Sequence, residues 1–359
     1  MRAALELARR GLGSTWPNPA VGCVIVNDGR VVGRGWTQPG GRPHAETEAL
    51  ARAGAAARGA TAYVSLEPCS HHGRTPPCAD ALIAAGVSRV VSAIEDADPR
   101  VSGAGTARLR DAGIAAETGL CAGEAAELNA GFFRRVKLGR PLVSLKLASS
   151  LDGRIATSTG ESRWITGPAA RERAHLLRAT HDAVLVGTAT ALADDPQLTC
   201  RLPGLEDRSP VRIVLDRHLR LPATLRLFTE VDQVPTWVVT LASSDPTRQA
   251  ALAARGGKIL AAEPDAAGVI DLAALLQRLG DKGLTRLLVE GGGRLAVALL
   301  RAELVDRLVW MRAPLIIGGD GIPAVGALAL GDLTSAPRFT LLSSEVSDGD
   351  AIETFRRTE

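Results

Sequence analysis

Three short segments near the start of the chain carry the residue types of a metal-dependent hydrolytic site. His44-Ala45-Glu46 stands where a helix is predicted to begin, and Pro68-Cys69 directly follows a predicted buried strand. Cys78 follows Pro76-Pro77 and opens the next predicted helix. One imidazole and two thiolates suit Zn²⁺, and three protein ligands leave a fourth coordination position for water. The segments therefore predict a catalytic zinc site whose ligands are His44, Cys69 and Cys78.

Glu46 lies two residues beyond the predicted histidine ligand, where a carboxylate can exchange a proton with a metal-bound water. Zinc lowers the pKa of its bound water to about 7, so hydroxide is available at neutral pH. A His-x-Glu segment combined with two Pro-Cys pairs is typical of zinc-dependent nucleobase deaminases. The pattern predicts that Glu46 takes the proton of the water and passes it to a leaving amine.

The spacing of the two cysteines departs from the usual deaminase pattern. Eight residues separate Cys69 from Cys78, where the pattern has two, and this loop contains His71 and His72 as rival ligands. The alternative interpretation is that both cysteines are inert and His44 is a surface residue. The joint occurrence of the three segments in the predicted order of strands and helices favours the metal site.

The elements around these segments predict an α/β sandwich in which helices pack on a mixed sheet. Asn27-Asp28-Gly29 is a hairpin turn signal between two apolar strands, and Gly86 closes a helix. The predicted order is an amphipathic helix over residues 1–10, strands over 21–26 and from 31, a helix over 44–58, a strand over 61–66, a helix over 78–85 and a strand over 89–94.

A second α/β set follows a charged helical connector over residues 119–141. Its predicted strands cover residues 143–147, 183–186, 211–215, 236–241, 286–289 and 308–311. Gly291-Gly292-Gly293 lies between a predicted strand and a predicted helix, where backbone N–H groups can bind a phosphate. Glycine at such a tight turn is often only structural, so both interpretations stay open. We expect one domain over residues 1–140 and another over 141–359.

Composition limits the classes of protein to which the chain can belong. Of 359 residues, 46% are apolar and 23% charged, which is typical of a globular protein. A net charge of +3, with the arginines scattered along both halves, argues against nucleic-acid binding. Five irregularly spaced cysteines argue against a disulfide framework and for a reducing compartment. With no signal peptide and no apolar run of membrane-spanning length, we expect a soluble, cytoplasmic protein without a membrane partner.

Longer strings in both halves carry a family resemblance, namely Pro17-Asn18-Pro19-Ala20-Val21-Gly22, His44-Ala45-Glu46, residues 67–78, Ser149-Ser150-Leu151-Asp152-Gly153-Arg154, residues 160–166, Leu192-Ala193-Asp194-Asp195-Pro196 and Val289-Glu290-Gly291-Gly292. These strings are similar to the bifunctional riboflavin-biosynthesis deaminase/reductase family, in which the eight-residue insertion between the cysteines is normal. Together they span nearly the whole chain. The resemblance implies a cytidine-deaminase-like first domain and a dihydrofolate-reductase-like second domain.

The resemblance also implies the two reactions. The first domain would hydrolyse the 2-amino group of 2,5-diamino-6-ribosylamino-4(3H)-pyrimidinone 5′-phosphate with Zn²⁺. The second would use NADPH to reduce the ribosyl group to ribityl; no residue pattern separates NADPH from NADH here. It further implies a small-molecule substrate as the only partner besides other copies of the chain, in a dimer or tetramer.

Site residues follow from the same resemblance, position by position. Asn18 matches a pyrimidine contact of the deaminase, and Arg74 is the charged donor of a loop that would meet the ribose phosphate. Lys146 would help to open or protonate the ribose, although a solvated charge on an edge strand is the plain alternative. The implied cofactor contacts are Ala148, Trp164, Thr190, Asp194, Gly292, Gly293, Arg294 and Leu295. The implied substrate contacts of the reductase are Ser162, Arg178, Leu198, Arg201 and Glu290, with Arg178 and Arg201 as paired phosphate ligands.

Two rival functions remain open at this level. The deaminase could act alone on another base, such as guanine, cytidine or a tRNA adenosine, but it would not then need a second α/β domain. Alternatively, the zinc could be structural and the second domain could bind a nucleotide without chemistry. Structural zinc sites are usually closed by four protein ligands, so the number of protein ligands distinguishes a structural from a catalytic zinc site.

Overall fold

The structure is a computed structural model that describes residues 1–73, 75–99 and 101–358. It divides into two compact units, the first comprising Met1–Arg140 with Lys282–Thr285, the second comprising Pro141–Asp281 and the chain from Arg286 onwards. Each unit combines helices with a mixed sheet, as the predicted fold class requires. Among the described residues, no helix has the length and apolar character needed to cross a membrane.

The first unit is built on a five-stranded sheet of order β2-β1-β3-β4-β5. Its elements are α1 (Arg2–Arg9), β1 (Gly22–Asn27), β2 (Arg30–Trp36), α2 (Ala45–Ala53), β3 (Thr61–Val64), α3 (Cys78–Ala84), β4 (Arg89–Ser92), α4 (Ala104–Asp111), β5 (Ala115–Thr118), α5 (Ala122–Leu128) and α6 (Ala130–Leu138). β1 is antiparallel to β2 and β3, and the other pairs are parallel. The predicted hairpin turn is present, with positive φ at Asp28 and Gly29.

Apolar residues cover both faces of this sheet, which makes the unit a three-layer sandwich. One core includes Ile25 of β1, Ala49 of α2 and Leu82 of α3, and the other includes Leu5 of α1 and Leu128 of α5. The α4–β5 pair was not predicted, because three of the four residues of β5 are exposed and the strand carries little apolar periodicity. The expected helical connector over 119–141 consists of two helices, α5 and α6.

The second unit is built on a nine-stranded sheet of order β11-β10-β9-β8-β12-β6-β13-β16-β15. Its elements are β6 (Leu142–Ser149), β7 (Arg154–Ala156), α7 (Pro168–Ala179), β8 (Ala183–Gly187), α8 (Thr188–Asp194), β9 (Val211–Leu215), β10 (Thr236–Leu241), α9 (Pro246–Ala254), β11 (Lys258–Ala262), α10 (Leu272–Asp281), β12 (Arg286–Val289), α11 (Gly293–Arg301), β13 (Arg307–Arg312), β14 (Ile322–Pro323), β15 (Phe339–Ser347) and β16 (Asp350–Arg357). The seven strands from β11 to β13 in this order are parallel.

All six strands expected in this unit are present, and five more were not predicted. β16 is antiparallel to β13, and β15 pairs with β16 at the end of the sheet. The side chains of β15 are almost all exposed, so its sequence lacks the apolar alternation that marks a half-buried strand. Lys146 lies on β6 between β12 and β13, so the interpretation of this residue as an edge-strand charge is wrong.

Candidate functional sites

The three predicted metal ligands converge in the first unit. His44 is the residue immediately before α2, Cys78 is the first residue of α3, and Cys69 lies in the loop after β3. The Nδ1 atom of His44 lies 3.1 Å from Sγ of Cys78 and 3.7 Å from Sγ of Cys69. All three ligating atoms lie within 4.8 Å of one another. An imidazole and two sulfurs at this separation fit a zinc ion with one position left for water.

The rival ligands His71 and His72 do not belong to this cluster. Within the described residues, the group able to hold a metal consists of His44, Cys69 and Cys78. His71 instead lines the adjacent cavity, and His72 is exposed. The three-ligand arrangement is therefore that of an open rather than a closed zinc site.

Local packing explains why the ligands meet. Gly33 and Gly35 of β2 leave room for the backbone of α2, because a Cβ atom at either position would lie 2.2 Å from a carbonyl oxygen of that helix. On the other side, the buried carboxylate of Glu67 accepts hydrogen bonds from the backbone N–H groups of Gly103 and Thr106, both at 2.9 Å. Glu67 thereby attaches the Cys69 loop to the start of α4.

The two sulfurs of the cluster differ in protonation. The pKa of Cys69 is lowered to about 4, because Cys78 and His44 direct hydrogen bonds to its sulfur. The backbone N–H of Cys78 also donates to that sulfur, at 3.3 Å. The pKa of Cys78 is raised well above its ordinary value, because its thiol donates to Cys69 and is buried. A thiolate is thus already favoured at one ligand, and cation binding must release the proton of the other.

Glu46 lies on the first turn of α2 with only 3% of its surface exposed. Burial raises its pKa to about 7, with the thiolate of Cys69 acting in the same direction and His44 opposing. A carboxyl group with a pKa near neutrality can both accept and release a proton at working pH. The position and the pKa of Glu46 are those required of a proton shuttle.

A cavity of about 240 Å³ opens beside this cluster. Asn18, His44, Glu46 and Cys69 all line it. The Asn18 amide is held against Gly41, where a Cβ atom would lie 1.8 Å from Nδ2 of Asn18. Arg74, the predicted phosphate contact, lies outside the described residues. Residues that line the cavity but were not predicted include Arg42, Glu67, Asp96, Asp98 and Arg135.

The second unit holds a larger cavity of about 1520 Å³ at the carboxyl ends of its parallel strands. Ligands of open α/β sheets bind at this edge. The predicted residues that line it are Lys146, Ala148, Ser162, Arg178, Thr190, Asp194, Leu198, Glu290, Gly292, Gly293, Arg294 and Leu295. Trp164 and Arg201 are not among its lining residues. The Trp164 ring is 71% exposed with the Arg171 guanidinium 4.5 Å from its centroid, so its cofactor contact remains a prediction.

An ion-pair network lies at one end of this cavity. The Arg178 guanidinium donates to both carboxylate oxygens of Glu290, at 2.7 and 2.9 Å, and to the carbonyl of Thr199 at 3.0 Å. Burial would raise the pKa of Glu290, but Arg178, Lys146 and His175 outweigh it and lower the pKa to about 2. Burial lowers the pKa of Lys146, and Glu290 opposes that shift. Arg178 therefore holds Glu290 in place, and its contact with a substrate phosphate stays a prediction.

Arg201 lies close to this network although it does not line the cavity. Its Nη1 atom donates to the hydroxyl of Thr199 at 3.2 Å, and its backbone N–H donates to His175 at 3.3 Å. Burial and the charge of Arg178 lower its pKa, which places the two guanidinium groups near each other. A contact of Arg201 with a substrate phosphate stays a prediction.

The glycine-rich turn stands at the start of α11, with Gly292 as its N-terminal cap residue. A Cβ atom at Gly292 would meet only the Thr190 hydroxyl oxygen, 3.7 Å away, so the backbone there is open to the cavity. At Gly293, by contrast, a Cβ atom would lie 3.0 Å from the carbonyl oxygen of Pro323. Gly293 thus fits the structural interpretation, and phosphate binding at Gly292 stays a prediction.

Many cavity residues escaped the sequence reasoning, among them Arg217 and Arg220 in the loop after β9. Both are exposed, and the Arg217 guanidinium donates a long 3.5 Å hydrogen bond to the carbonyl of Gly268. They lie in the same cavity as Val269 and Leu272. Their position in the sequence could have identified them, because both arginines follow shortly after a buried strand whose carboxyl end faces the cavity.

Family comparisons match both halves of the chain. The cytidine and deoxycytidylate deaminase zinc-binding region matches residues 1–94, and the RibD C-terminal domain matches residues 141–352. The riboflavin biosynthesis protein RibD of Escherichia coli K12 is 46% identical over 94% of this chain and 93% of its own length. The protein of the same name from Aquifex aeolicus is 40% identical over 99% of this chain and 97% of its own.

Solved structures give the same result. A RibD structure from Acinetobacter baumannii has a TM-score of 0.89 at 42% identity, covering 100% of this chain and 98% of that one. The structure of a diaminohydroxyphosphoribosylaminopyrimidine deaminase/5-amino-6-(5-phosphoribosylamino)uracil reductase from Thermotoga maritima has a TM-score of 0.86 at 35% identity, covering 100% and 97%. The likeness thus extends over both units.

Proposed function

This chain belongs to the RibD family of bifunctional riboflavin-biosynthesis deaminase/reductases, and we propose that residues 1–140 form its deaminase and residues 141–359 its reductase. The substrate of the first would be the 2,5-diamino-6-ribosylamino-4(3H)-pyrimidinone 5′-phosphate implied by the resemblance. The observation that carries the proposal is the convergence of His44, Cys69 and Cys78 beside the buried carboxyl group of Glu46.

In the deaminase, His44, Cys69 and Cys78 hold the metal, and Glu46 moves the proton. Zinc, when bound, supplies a water whose pKa is low enough for ionisation at neutral pH. Glu46 accepts the proton of that water and delivers it to the amino group that leaves as ammonia. Asn18, fixed against Gly41, orients the pyrimidine through its amide. Burial of Glu46 keeps bulk water from competing for its proton.

In the reductase, we assign the open backbone at Gly292 and the Thr190 hydroxyl to the phosphates of NADPH. The cofactor, when bound, supplies the hydride. Glu290, held by Arg178, accepts hydrogen bonds from the ribosyl hydroxyls and faces Lys146, whose ammonium would donate a proton to the sugar oxygen as the ring opens. The support for these roles is that Lys146, Arg178 and Glu290 line one cavity with the glycine turn.

The preference for NADPH over NADH is assigned to Arg217 and Arg220. Guanidinium groups bind phosphate dianions in bidentate geometry, and the 2′-phosphate is the group that distinguishes the two cofactors. Among the other arginines of the cavity, Arg178 is bonded to Glu290, Arg163 to the carbonyl of Asp194, and Arg301 to the carbonyls of Ala327 and Leu328. Arg294 lies on the first turn of α11, beside the glycine turn assigned to the cofactor phosphates. Arg217 and Arg220 are therefore the favoured ligands of the 2′-phosphate.

A homo-oligomer and a cytoplasmic location complete the proposal. Strand β15 ends the large sheet with Leu341 at 51% and Val346 at 78% exposure, a surface suited to a second copy of the chain. Light scattering coupled to gel filtration measures the mass, and a monomer at micromolar concentration would contradict the oligomer. All five cysteines lie within the described residues and are free, which suits a reducing compartment.

The test of the function is a coupled assay with the diaminopyrimidine nucleotide. The complete enzyme should release ammonia and oxidise NADPH. Without zinc, both signals should disappear, and the deaminated nucleotide should restore NADPH oxidation alone. Without NADPH, ammonia release should continue. Ammonia release that is independent of metal, or failure to oxidise NADPH with the deaminated nucleotide, contradicts the proposal.

A further inference from the structure

The deaminase cavity has two arginines that the metal chemistry does not use. Arg42 and Arg135 line it, from the segment before α2 and from α6 respectively. The cavity also holds carboxylates, but Glu67 is engaged by backbone N–H groups and Asp96 accepts the backbone N–H of Asp98 at 2.9 Å. Asp98 also lines the cavity, so a dianionic ligand is attracted by the guanidinium groups of Arg42 and Arg135 and repelled by the carboxylates of the lining.

Arg42 is attached to the loop between the two cysteines. Its Nη1 atom donates to the hydroxyl of Thr75, and its Nη2 atom would lie 3.2 Å from a Cβ atom at Gly73. The side chain is half-buried. A guanidinium has five N–H donors, so the Thr75 bond fixes its orientation and leaves donors for a ligand.

A second polar group at this loop points to a ligand independently. Nδ1 of His71 is buried and, among the residues that the structure describes, has no hydrogen-bond partner. A buried polar atom without a partner is costly, and a bound ligand removes that cost. His71 and Arg42 line the same cavity.

We propose that Arg42 binds the 5′-phosphate of the deaminase substrate, with Arg135 as a second cation and His71 as a further contact. This inference rests on the proposed function, because it places the pyrimidine at Glu46 and the phosphate at the mouth of the cavity. Arg42 is then a specificity-determining residue that makes the enzyme select a nucleotide over the dephosphorylated nucleoside.

A purely structural role for Arg42 is the competing explanation, since its bond to Thr75 could brace the loop that carries the metal ligands. The two roles differ in their dependence on the substrate. Loss of a brace impairs deamination of nucleotide and nucleoside equally and lowers the zinc content. Loss of a phosphate contact impairs deamination of the nucleotide alone.

The experiment measures kcat/KM for ammonia release with the 5′-phosphate and with its dephosphorylated nucleoside, in zinc-loaded full-length protein. For R42Q we expect a fall of about 10- to 100-fold with the nucleotide, the size of one or two charged hydrogen bonds, and an unchanged value with the nucleoside. R42K should recover part of the loss, and inorganic phosphate should inhibit R42Q less than wild type. R34Q, at an exposed arginine of β2 outside the cavity, is the matched control and should behave as wild type.

The possible outcomes separate the inference from the function on which it rests. If the wild type does not deaminate the nucleotide, the proposed function fails and this inference fails with it. If the wild type does, and R42Q either keeps full activity or loses it equally on both substrates, only the inference is overturned. T75A is a second test of the structural role, because it removes the hydrogen bond to the loop and keeps the guanidinium of Arg42. If kcat/KM for the nucleotide falls further in R42Q than in T75A, and only for the nucleotide, the phosphate contact is supported.

Discussion

The two sites of this molecule are assembled in opposite ways. The metal ligands and Glu46 come from a span of 35 residues, and each ligand stands at or beside the start of a helix or in the loop between. The reductase cavity collects residues from Lys146 to Ala324, which lie on or beside strands that are neighbours in the sheet but distant in sequence. Local spacing is therefore a strong signal for the first site and a weak one for the second.

The two sites also balance their charges differently. In the deaminase, the thiolate of Cys69 and the carboxyl group of Glu46 lie close together, and a bound metal cation would balance their charge. In the reductase, the carboxylate of Glu290 already has a cation, the guanidinium of Arg178. Metal removal should therefore disable one site, whereas a single substitution in the ion pair should disable the other.

The largest effect is expected from H44A. The variant removes the imidazole ligand, so zinc content should fall to near zero and deamination should fall by more than about 10⁴-fold, beyond the loss from a single proton-transfer group. Zinc is measured by atomic emission and deamination by ammonia release. NADPH oxidation with the deaminated nucleotide should stay unchanged, because the reductase cavity lies in the other unit; its loss would show that the sites are not independent.

E290Q should disable the reductase by about 10²-fold, because Arg178 loses its partner and the sugar loses a contact. Burial lowers the pKa of Lys146 while the Glu290 carboxylate opposes that shift, so Lys146 should lose its proton at lower pH in the variant. The basic limb of the kcat/KM profile for NADPH oxidation should move to lower pH. An unmoved limb would remove Lys146 from the reaction, and unchanged deamination serves as the control.

R217Q and R220Q should weaken the binding of NADPH and of 2′,5′-ADP by about 10-fold each, because each removes a charged contact to the 2′-phosphate. Binding of NADH and of 5′-ADP should not change. Isothermal titration of the two adenosine nucleotides measures this without turnover. R255Q, at an exposed arginine at the end of α9 and outside the cavity, is the control. Equal losses for both nucleotides would refute the assignment.

The smallest effect concerns His181, which is buried between the Leu177 carbonyl at 2.7 Å and the Ser144 hydroxyl at 2.9 Å. Burial lowers its pKa to about 4, so the unfolded chain takes up the proton first as the pH falls, and stability is lost from about pH 6.5 downwards. Lowering the pH from 7 to 5 should therefore reduce the free energy of unfolding by on the order of 2 kcal/mol through His181. The free energy of unfolding in urea should depend less on pH in H181Q than in the wild type. If it depends on pH equally in both proteins, His181 is not held neutral in the folded state.

The contrast between the sites also explains what could be predicted from the sequence. The zinc ligands, Glu46 and the hairpin at Asp28-Gly29 follow from residue type and short spacing, and the structure places each as expected. Glu67 was missed because its partners are backbone N–H groups more than thirty residues away, which no side-chain pattern records. The central position of Lys146 was missed because strand order depends on contacts across the whole second unit.

Other parts of the account came from family resemblance rather than from physical patterns. Lining of the reductase cavity by Ser162, Leu198 and Asp194 could not be deduced from periodicity, because each lies in or beside a loop. The exposed strand β15 and the arginines after β9 carry polar sequences that resemble ordinary surface. Sequence patterns thus locate site residues that are close together in the chain, but not those that are brought together only by the order of strands in the sheet.

The most direct test of the central claim is E46Q, in which the carboxyl group of the proposed proton shuttle is replaced by an amide of nearly the same shape. Zinc content, ammonia release and NADPH oxidation with the deaminated nucleotide are measured on one preparation. The account predicts full zinc content, full reductase activity and deamination lowered by about 10²- to 10⁴-fold. Deamination at the wild-type rate in zinc-loaded E46Q would contradict it.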